Sequence, residues 1–290
     1  MSPATTLSRR QFLRRGTALA AAGLAAPHII PSGVLAFQGN PGANDRIGIG
    51  GIGIGRQGSG VLHGAVTSKA CRFIGIADVF LSRAQEMCKR LGGGEAYQDY
   101  RKLLERKDVD AIVTATPDHW HALATIHACQ AGKDVYAEKP LCLTIREGRA
   151  IVNAVRKHQR VFQTGTQQRS DLQFRWACEL ARNGRLGKVH TVLAPNFVGP
   201  SKWSDQPAAA MPEGAGEGWW DVWTSQAVMR PYHPELQYGW PKWWDYDGGG
   251  ECFGVTGWGT HSYDQINRGL GTDDTGPVEI VMEEPVAVSN

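Results

Sequence analysis

The chain lacks the cysteine spacing of a zinc site or a disulfide framework. None of its six cysteines forms a Cys-x-x-Cys pair, and their spacings follow no paired pattern. Structural zinc sites and small disulfide-rich folds carry such patterns, so neither class is indicated. We therefore predict thiols in or near the core and no metal site. The cysteines are Cys71, Cys88, Cys129, Cys142, Cys178 and Cys252.

An excess of either charge is also missing once the N-terminal segment is set aside. Residues 1–36 hold four of the 31 basic residues and none of the 28 acidic ones, so 27 basic and 28 acidic residues remain. A near-neutral chain has no excess positive charge with which to bind nucleic acid or an anionic membrane. We predict no nucleic-acid partner.

No apolar run is long enough to span a bilayer stably. The best candidate, Gly16 to Ile30, is short and rich in alanine and glycine, which is typical of a targeting segment. It follows SRRQFL at positions 8–13, which resembles the bacterial twin-arginine signal. The resemblance implies a signal peptide over 1–36, a mature start at Phe37, the twin-arginine translocon as a partner, and a periplasmic or otherwise exported protein. The alternative is a basic amphipathic N-terminal helix.

Glycine is abundant, with 36 residues, and concentrates at positions 48–60 and 248–259. Two clusters imply two sites of special backbone conformation. The first cluster joins an apolar stretch, Arg46 to Ile52, to an apparent helix. This order predicts a strand, a glycine turn and a helix N-terminus that binds a dinucleotide pyrophosphate. The predicted cofactor contacts are Gly53, Gly55, Arg56, Gln57 and Gly58.

The turn allows a second register, because Gly48, Gly50 and Gly53 have the same spacing. We prefer the later register, since the earlier one leaves almost no strand in front of it. An ordinary tight turn also fits, because a glycine pattern alone is weakly specific.

An acidic residue ends the next apolar stretch, Phe73 to Asp78, 20 residues after Gly58. A carboxylate at this place accepts hydrogen bonds from the adenosine ribose and repels a 2′-phosphate. NAD is therefore the expected cofactor, with NADP less favoured. The alternative is that Asp78 caps the helix beginning near Ser82.

Strands and helices then alternate along the chain. Because parallel strands need crossovers, this alternation predicts a doubly wound parallel sheet, with ligands at the carboxyl ends of its strands. Helices are predicted near 81–91, 99–106, 119–131 and 144–158, and strands at 109–115, 134–137 and 161–165. The segments at the strand ends are 116–121, 138–140 and 164–168.

These motifs together resemble the Gfo/Idh/MocA oxidoreductase family, which includes glucose-fructose oxidoreductase and inositol dehydrogenase. The similarity rests on the glycine turn, Asp78, TPDHWH at 116–121, AGKDVYAEKP at 131–140, and GGG followed by GWGTHSYD at 257–264. It covers about residues 45–284, and the combination is far more specific than any single motif. Twin-arginine-exported members of the family are the most similar.

The resemblance implies an α/β fold with an N-terminal Rossmann domain over 46–166, preceded by an arm over 37–45. Residues 167–290 would form part of an α+β substrate and oligomerisation domain with an open-faced, mainly antiparallel sheet. Strands are expected at 189–198 and 278–282. Because this sheet continues well beyond the catalytic helix in the family, we expect a truncated chain that would be a homo-oligomer at full length.

The resemblance also implies the catalytic residues. Lys139 matches the family lysine that contacts the nicotinamide ribose and the substrate hydroxyl, where an ammonium can stabilise negative charge as hydride leaves. His261 matches the general acid/base. Taken alone, Lys139 could bond carbonyls at a strand end and His261 could be structural. Further cofactor contacts are implied for Thr116, Pro117, His121, Glu138 and Gln167.

One position departs from the family. Many members have aspartate four residues before the histidine, where this chain has Gly257. That carboxylate would orient the imidazole. Asp264, three residues after His261, is a candidate substitute, and a solvated helix position is its alternative. His119 and His121 do not predict a zinc site, because no third ligand is suitably spaced.

Seven tryptophans fall in a long excursion before His261. Aromatic faces stack on sugar rings, but they equally hold a long loop together or fill an oligomer interface. They are Trp203, Trp219, Trp220, Trp223, Trp240, Trp243 and Trp244.

The expected function is oxidation of a CH–OH group of a sugar or sugar derivative with NAD. Since NAD(H) is not freely replenished outside the cytoplasm, the cofactor is expected to stay bound and be recycled in place. Redox-neutral glycoside cleavage or epimerisation also satisfies this constraint. The glycosidase relatives usually have valine where this chain has Lys139, which favours the dehydrogenase. A non-catalytic sugar- or nucleotide-binding protein is the rival class, made plausible by Gly257.

Overall fold

A computed structural model describes residues 41–194, 201–213, 218–247 and 257–281. The chain divides into two units, residues 1–46 and residues 47–290. The described part of the first unit contains a short 3-10 turn, Ala43–Asp45. The predicted signal peptide with Arg9 and Arg10, the mature start and residues 37–40 of the arm lie outside the described residues. Cys252 and most of the second glycine cluster do so as well.

The second unit contains a six-stranded sheet with helices between its strands. The strands are β1 Ile47–Ile52, β2 Cys71–Ala77, β3 Glu95–Tyr97, β4 Ala111–Thr114, β5 Asp134–Glu138 and β6 Phe162–Gly165. The intervening helices are α1 Arg56–Val66, α2 Leu81–Arg90, α3 Tyr100–Leu104, α4 Asp118–Gln130 and α5 Ile145–Lys157.

All strand pairs are parallel, in the order β3-β2-β1-β4-β5-β6. This is the Rossmann arrangement, in which the order reverses between β1 and β4 and leaves a crevice at the carboxyl ends. The predicted doubly wound parallel sheet is confirmed. The short strand β3 was not predicted.

The glycines of β1 let helices approach both faces of the sheet. A Cβ on Gly50 would lie 3.0 Å from the Leu103 side chain, and one on Gly51 would lie 2.7 Å from Leu62. Leu103 and Leu62 are fully buried on opposite faces, each within its own apolar cluster. The alternation of glycine with isoleucine is therefore a packing requirement of a central strand covered on both sides.

The remaining helices follow β6. They are a 3-10 turn Gln167–Ser170, α6 Leu172–Arg182, α7 Trp219–Thr224, α8 Pro234–Tyr238, a 3-10 turn Trp240–Lys242 and α9 Trp258–Leu270. Helices α6 and α9 pack together, and the Cys178 thiol contacts the Gln265 carbonyl at 3.5 Å. Of these elements, only α9 was predicted from the sequence.

Two predicted strands are absent from the described residues. Positions 189–194 and 278–281 have no regular secondary structure, so the strands predicted at 189–198 and 278–282 are wrong where they are described. After β6, the described chain has one isolated parallel bridge between Ser201 and Trp243. An apolar run forms a strand only where a neighbouring strand accepts its hydrogen bonds, and these segments have none in the described structure.

The described cysteines are free thiols, as predicted. Cys88, Cys129 and Cys178 are buried, and Cys71 and Cys142 are half-buried. The described residues contain no cluster of three metal-ligating side chains. They also contain no helix with the length and apolar character needed to span a membrane.

Candidate functional site

The glycine turn between β1 and α1 leaves room for a ligand. Gly53 has φ +71°, and a Cβ there would lie 2.6 Å from Thr116 Cγ2. A Cβ on Gly58 would lie 2.3 Å from the Gly53 carbonyl oxygen. A Cβ on Gly55, in contrast, would have nothing within 4 Å. The first and third glycines allow close backbone packing, and the second faces open space at the start of α1, which supports the later register.

Asp78 lies immediately after β2 and reaches across to this turn. Its Oδ2 accepts a hydrogen bond from the Ile54 amide at 3.0 Å, and its Oδ1 accepts one from the Phe80 amide at 2.9 Å. The Arg83 guanidinium lies 3.4 Å from Oδ2. The N-cap of α2 is Phe80, so Asp78 is not its capping residue. The buried carboxylate instead ties the glycine turn to the end of β2.

The ends of β4 and β5 bring further predicted residues together. Gln57 Nε2 lies 3.5 Å from Glu138 Oε1, which connects the first turn of α1 to β5. His121 Nδ1 bonds the Pro140 carbonyl, and since a carbonyl only accepts, Nδ1 carries the proton. Burial lowers the pKa of His121 to about 4, so its ring is neutral. Thr116 lies beside the glycine turn.

Lys139 and His261 meet across the site. The Lys139 ammonium donates a hydrogen bond to the Gly257 carbonyl oxygen at 3.3 Å. Gly257 is the N-cap of α9, and His261 lies in the first turns of that helix with 5% of its surface exposed. Burial first, and then the Lys139 charge, lower the pKa of His261, while Asp264 opposes them. A neutral imidazole is thus favoured beside a cation.

Asp264 does not bond the His261 imidazole directly. Its two carboxylate oxygens share the single Arg169 Nε–H, at 2.9 and 2.8 Å, and Arg169 Nη2 lies 2.8 Å from Oδ1. His261 Nδ1 is buried without a hydrogen-bond partner among the described residues. Side chains three positions apart on a helix can interact, but here the two-point bond to Arg169 occupies the Asp264 carboxylate. It is therefore neither the imidazole's hydrogen-bond partner nor a freely solvated residue.

Gln167 lies in the 3-10 turn after β6. It is exposed and lines an open cavity of about 560 Å³ between β5, β6 and α9. Arg169 and Asp264 line the same cavity. The structure thus places Gln167 beside the ion pair of Arg169 and Asp264, in a cavity that Lys139 and His261 do not line.

Two buried carboxylates near Lys139 were missed by the sequence reasoning. Asp118 opens α4 with 4% of its surface exposed, and Asp247 is 2% exposed. Burial, and next the Asp247 charge, raise the pKa of Asp118 well above its usual range, while Lys139 lowers it. Asp118 was detectable, since it follows Thr116 and Pro117 at the end of β4. Nothing local marks Asp247, which only the tertiary fold brings to this place.

The tryptophans mainly form a second core. Trp219, Trp220 and Trp223 are buried with Tyr232 and Tyr246, and Trp220 stacks on Trp223 at 4.7 Å. Their faces are covered by one another, so these three rings provide no sugar platform. Of the alternatives considered, they hold the long excursion together. Trp244 differs, because it is exposed.

This aromatic cluster contacts the sheet on both sides of β1. On the β2 side, Trp219 packs on Phe80 with ring centroids 4.7 Å apart. On the β4 side, Trp120 Nε1 donates to the Trp223 carbonyl at 2.9 Å, and His119 Nε2 donates to the same oxygen at 2.8 Å. Gln226 also donates to the His119 carbonyl. The cluster thus bridges the carboxyl ends of two strands that flank β1.

The residues at these strand ends fit a dinucleotide. The open space at Gly55 suits a pyrophosphate next to the N-terminal amides of α1, which have no intrahelical partners. Thr116 Oγ1, His121 Nε2 and His261 Nδ1 are buried without hydrogen-bond partners among the described residues. Buried polar atoms normally have partners, so this row of groups suits a polar ligand along the same crevice.

The chain matches two models of one family. Residues 46–166 match the Gfo/Idh/MocA oxidoreductase family, NAD-binding Rossmann fold, and residues 195–289 match the family's C-terminal alpha/beta domain.

Relatives share the N-terminal half most clearly. The chain is 31% identical over 147 residues to myo-inositol 2-dehydrogenase of Thermotoga maritima, covering 51% of this chain and 43% of that protein. It is 28% identical over 174 residues to a glycosyl hydrolase family 109 protein of Shewanella pealeana, covering 53% and 38%. The chain thus spans less than half the length of either relative.

Among solved structures, an NAD-binding protein from Listeria innocua resembles the chain with a TM-score of 0.52 and 23% identity. The similarity covers 76% of this chain and 54% of that one. It extends the likeness in fold beyond the Rossmann domain.

Proposed function

Because the chain belongs to the Gfo/Idh/MocA oxidoreductase family, we propose that it is an NAD-dependent oxidoreductase acting on a CH–OH group of a sugar or sugar alcohol. NADP is the less favoured cofactor, because the buried Asp78 carboxylate would repel a 2′-phosphate. The proposed substrate class is inferred from two observations. One relative is a myo-inositol 2-dehydrogenase, and the chain after residue 36 has no excess of either charge.

One observation supports the proposal most directly. Lys139 contacts the helix that contains His261, at the edge of the sheet where the parallel strands have their carboxyl ends. Their bond through Gly257 brings a cation and a neutral, buried imidazole to one side of the dinucleotide crevice. Catalytic pairs of this kind need a group that stabilises an oxyanion and a group that accepts a proton.

The two side chains have distinct chemical tasks in this proposal. NAD, when bound, would accept the hydride from the substrate carbon. Lys139 would bond the substrate hydroxyl and stabilise negative charge on its oxygen while hydride departs. His261 would take the hydroxyl proton on its neutral ring, and the lowered pKa keeps that ring unprotonated at neutral pH. The burial of His261 and the partial burial of Lys139 strengthen these interactions, because less water screens them.

We further propose that the cofactor stays bound through repeated turnovers. The aromatic cluster supports this idea, because it bonds the ends of β2 and β4 on both sides of the glycine turn. A dinucleotide lying across those ends would be released only after some of these contacts separate. Export through the twin-arginine route, which the N-terminal sequence predicts, would favour the same arrangement, since the cofactor would enter the compartment inside the folded protein.

The test is a spectroscopic titration of the full chain. Protein purified from its native compartment is denatured, and the released nucleotide is identified by mass spectrometry. Intact protein is then mixed with myo-inositol and with simple sugars while absorbance is followed near 340 nm. We expect NAD to be released by denaturation and absorbance to rise with at least one polyol. Bound NAD with no response to any of a broad polyol panel would contradict the dehydrogenase and favour a non-catalytic binder.

A second candidate is redox-neutral cleavage or epimerisation of a glycoside. The glycosyl hydrolase family 109 relative favours it, and so does a retained cofactor, since hydride would return to the same sugar. The two candidates differ in net redox change. Release of an aglycone from a nitrophenyl glycoside without lasting absorbance at 340 nm would select cleavage. A lasting absorbance change with a free polyol would select the dehydrogenase.

A further inference from the structure

The helix that carries His261 is anchored at a point distant from the imidazole. Arg169, in the 3-10 turn after β6, donates two bonds to Asp264 and a third, at 2.7 Å, to Asp273 just after α9. The guanidinium of Arg268 on α9 donates back to the Arg169 carbonyl at 2.8 Å. A single arginine thus joins the middle and the far end of α9 to the sheet.

This anchor differs from an ordinary surface ion pair. The Asp264 side chain is 17% exposed, and Arg169 meets two carboxylates at once. The pair between Arg90 and Glu86 on α2 has a similar 2.7 Å separation, but both side chains are about two-thirds exposed. Arg169 itself is 41% exposed, but its bonds reach the mostly buried Asp264 and a second carboxylate. Exposed single pairs contribute little, whereas an arginine that bonds two carboxylates at once holds a defined geometry.

The anchor acts on the helix position that matters for the imidazole. Asp264 lies three residues after His261, so fixing its side chain fixes the rotation of α9 about its axis. The Lys139 bond to Gly257 fixes the start of the same helix. The N-cap Gly257 has no side chain with which to orient the ring, so the two attachments together define where His261 points.

The anchor also sets the charge around the imidazole. Among the described residues, the charged groups that influence His261 are Lys139, from the end of β5, and Asp264, on its own helix. Arg169 neutralises Asp264 through the paired bonds. Removing the arginine would leave an uncompensated carboxylate one turn from the ring.

We propose that Arg169 is a positioning residue that orients His261 through Asp264, because the N-cap Gly257 has no side chain that could do so. This inference rests on the proposed function, because the orientation of His261 matters for catalysis only if His261 is the acid/base. The contacts that fix the orientation can be tested without measuring turnover.

The test compares Arg169→Gln, Asp264→Asn and Asp273→Asn, with Arg90→Gln as the matched control on an exposed pair. The imidazole of His261 is titrated by NMR in each full-length variant, its signal assigned by its loss in His261→Gln. We expect Arg169→Gln to raise the pKa of His261, because Asp264 loses its partner, and Asp264→Asn to lower it. Asp273→Asn should shift it less than either, and Arg90→Gln should leave it unchanged.

Kinetics supply the second readout where the chain is active. We expect Arg169→Gln to lower kcat by about tenfold to a hundredfold with little change in KM, since small misplacements of a catalytic group have effects of this size. Arg169→Lys should recover part of the loss.

The inference would be overturned by unchanged His261 titration in both Arg169→Gln and Asp264→Asn, or by shifts of the same sign in folded protein. Circular dichroism identifies any variant that is unfolded. If Arg169→Gln is unfolded, the His261 titration in Arg169→Lys and Asp264→Asn tests the inference instead. Opposite shifts in a chain that oxidises no substrate would support Arg169 as the anchor while refuting the proposed function.

Discussion

The ammonium of Lys139 donates a hydrogen bond to the carbonyl oxygen of Gly257 over 3.3 Å, although 118 positions separate the two residues. Gly257 begins the helix of His261, so this bond links the end of β5 to the predicted acid/base. A glycine here has a consequence. Glycine has no side chain that could orient the imidazole, so the orientation depends on contacts from elsewhere in the fold.

Replacing Lys139 by alanine should abolish turnover and leave NAD binding nearly intact. The glycine turn and Asp78 hold the opposite end of the dinucleotide in the proposed complex, so binding loses little. The pKa of His261 should also rise, because one of the charges that lowers it is gone. Calorimetry with NAD and initial-rate kinetics measure the two effects, with the exposed Lys102→Ala as the control. Wild-type rates in the Lys139 variant would refute its catalytic role.

Replacing His261 by alanine should lower kcat by about 100- to 10,000-fold, the usual contribution of a general acid or base. In the parent enzyme, oxidation should decline as pH falls through the His261 pKa, because protonation removes the base. That pKa lies below the ordinary histidine value, since burial and Lys139 both disfavour the charged ring. The acid limb of a kcat/KM profile should therefore lie below about pH 6.5 and disappear in the variant. An unchanged acid limb in His261→Ala would assign it to another group.

Replacing Asp78 by alanine should narrow or reverse the preference for NAD over NADP. The change removes a carboxylate that repels a 2′-phosphate and frees Arg83, which lies 3.4 Å away and is partly exposed, to pair with that phosphate. It also leaves two buried amides unpaired, at a cost of about 1–3 kcal/mol each, so the dissociation constants should be measured at low temperature. The double variant with Arg83→Gln should lose the gain for NADP. A parent protein that already binds NADP better would show that Asp78 has been misassigned.

Replacing Trp120 by phenylalanine should speed the release of bound NAD. The ring can still pack on Tyr100, but the indole N–H bonds to the Val222 and Trp223 carbonyls are lost. Losing one such hydrogen bond costs about 0.5–1.5 kcal/mol, which predicts release about two- to tenfold faster. Stopped-flow exchange against a fluorescent NAD analogue measures the rate, and the exposed Trp176→Phe is the control. Equal rates of NAD release in the parent protein and both variants would show that the aromatic cluster does not retain the cofactor.

Changing Arg9 and Arg10 together to lysine should leave the precursor in the cytoplasm, because the twin-arginine signal requires both guanidinium groups. Cell fractionation with immunoblotting measures the distribution, and Arg14→Lys with Arg15→Lys provides a matched pair outside the motif. Export of the Arg9 and Arg10 variant at the normal level would refute the signal.

Local signals in the sequence determined the Rossmann half of the molecule. Apart from β3, its strands were marked by short, mainly apolar runs, the crossovers between them are helices, and the turn needs Gly53 where φ is positive. Parallel strands joined by helices have few possible arrangements, so the pattern led to the sheet and to the edge where ligands bind. Asp118 was within reach of the same reasoning, because it follows the strand that ends before Thr116 and Pro117.

The tertiary structure alone decided which distant residues meet. Helices α7 and α8 are short, and the pattern of tryptophans around them fits a loop, an interface or a core equally well. Only the structure shows these rings packed against Phe80 and His119. No spacing rule could pair Arg169 with Asp264, 95 positions away, because an ion pair depends on the path of the whole intervening chain. Local propensity acts over a few residues, whereas the orientation of His261 depends on contacts that exist only after the sheet and its last helix have packed.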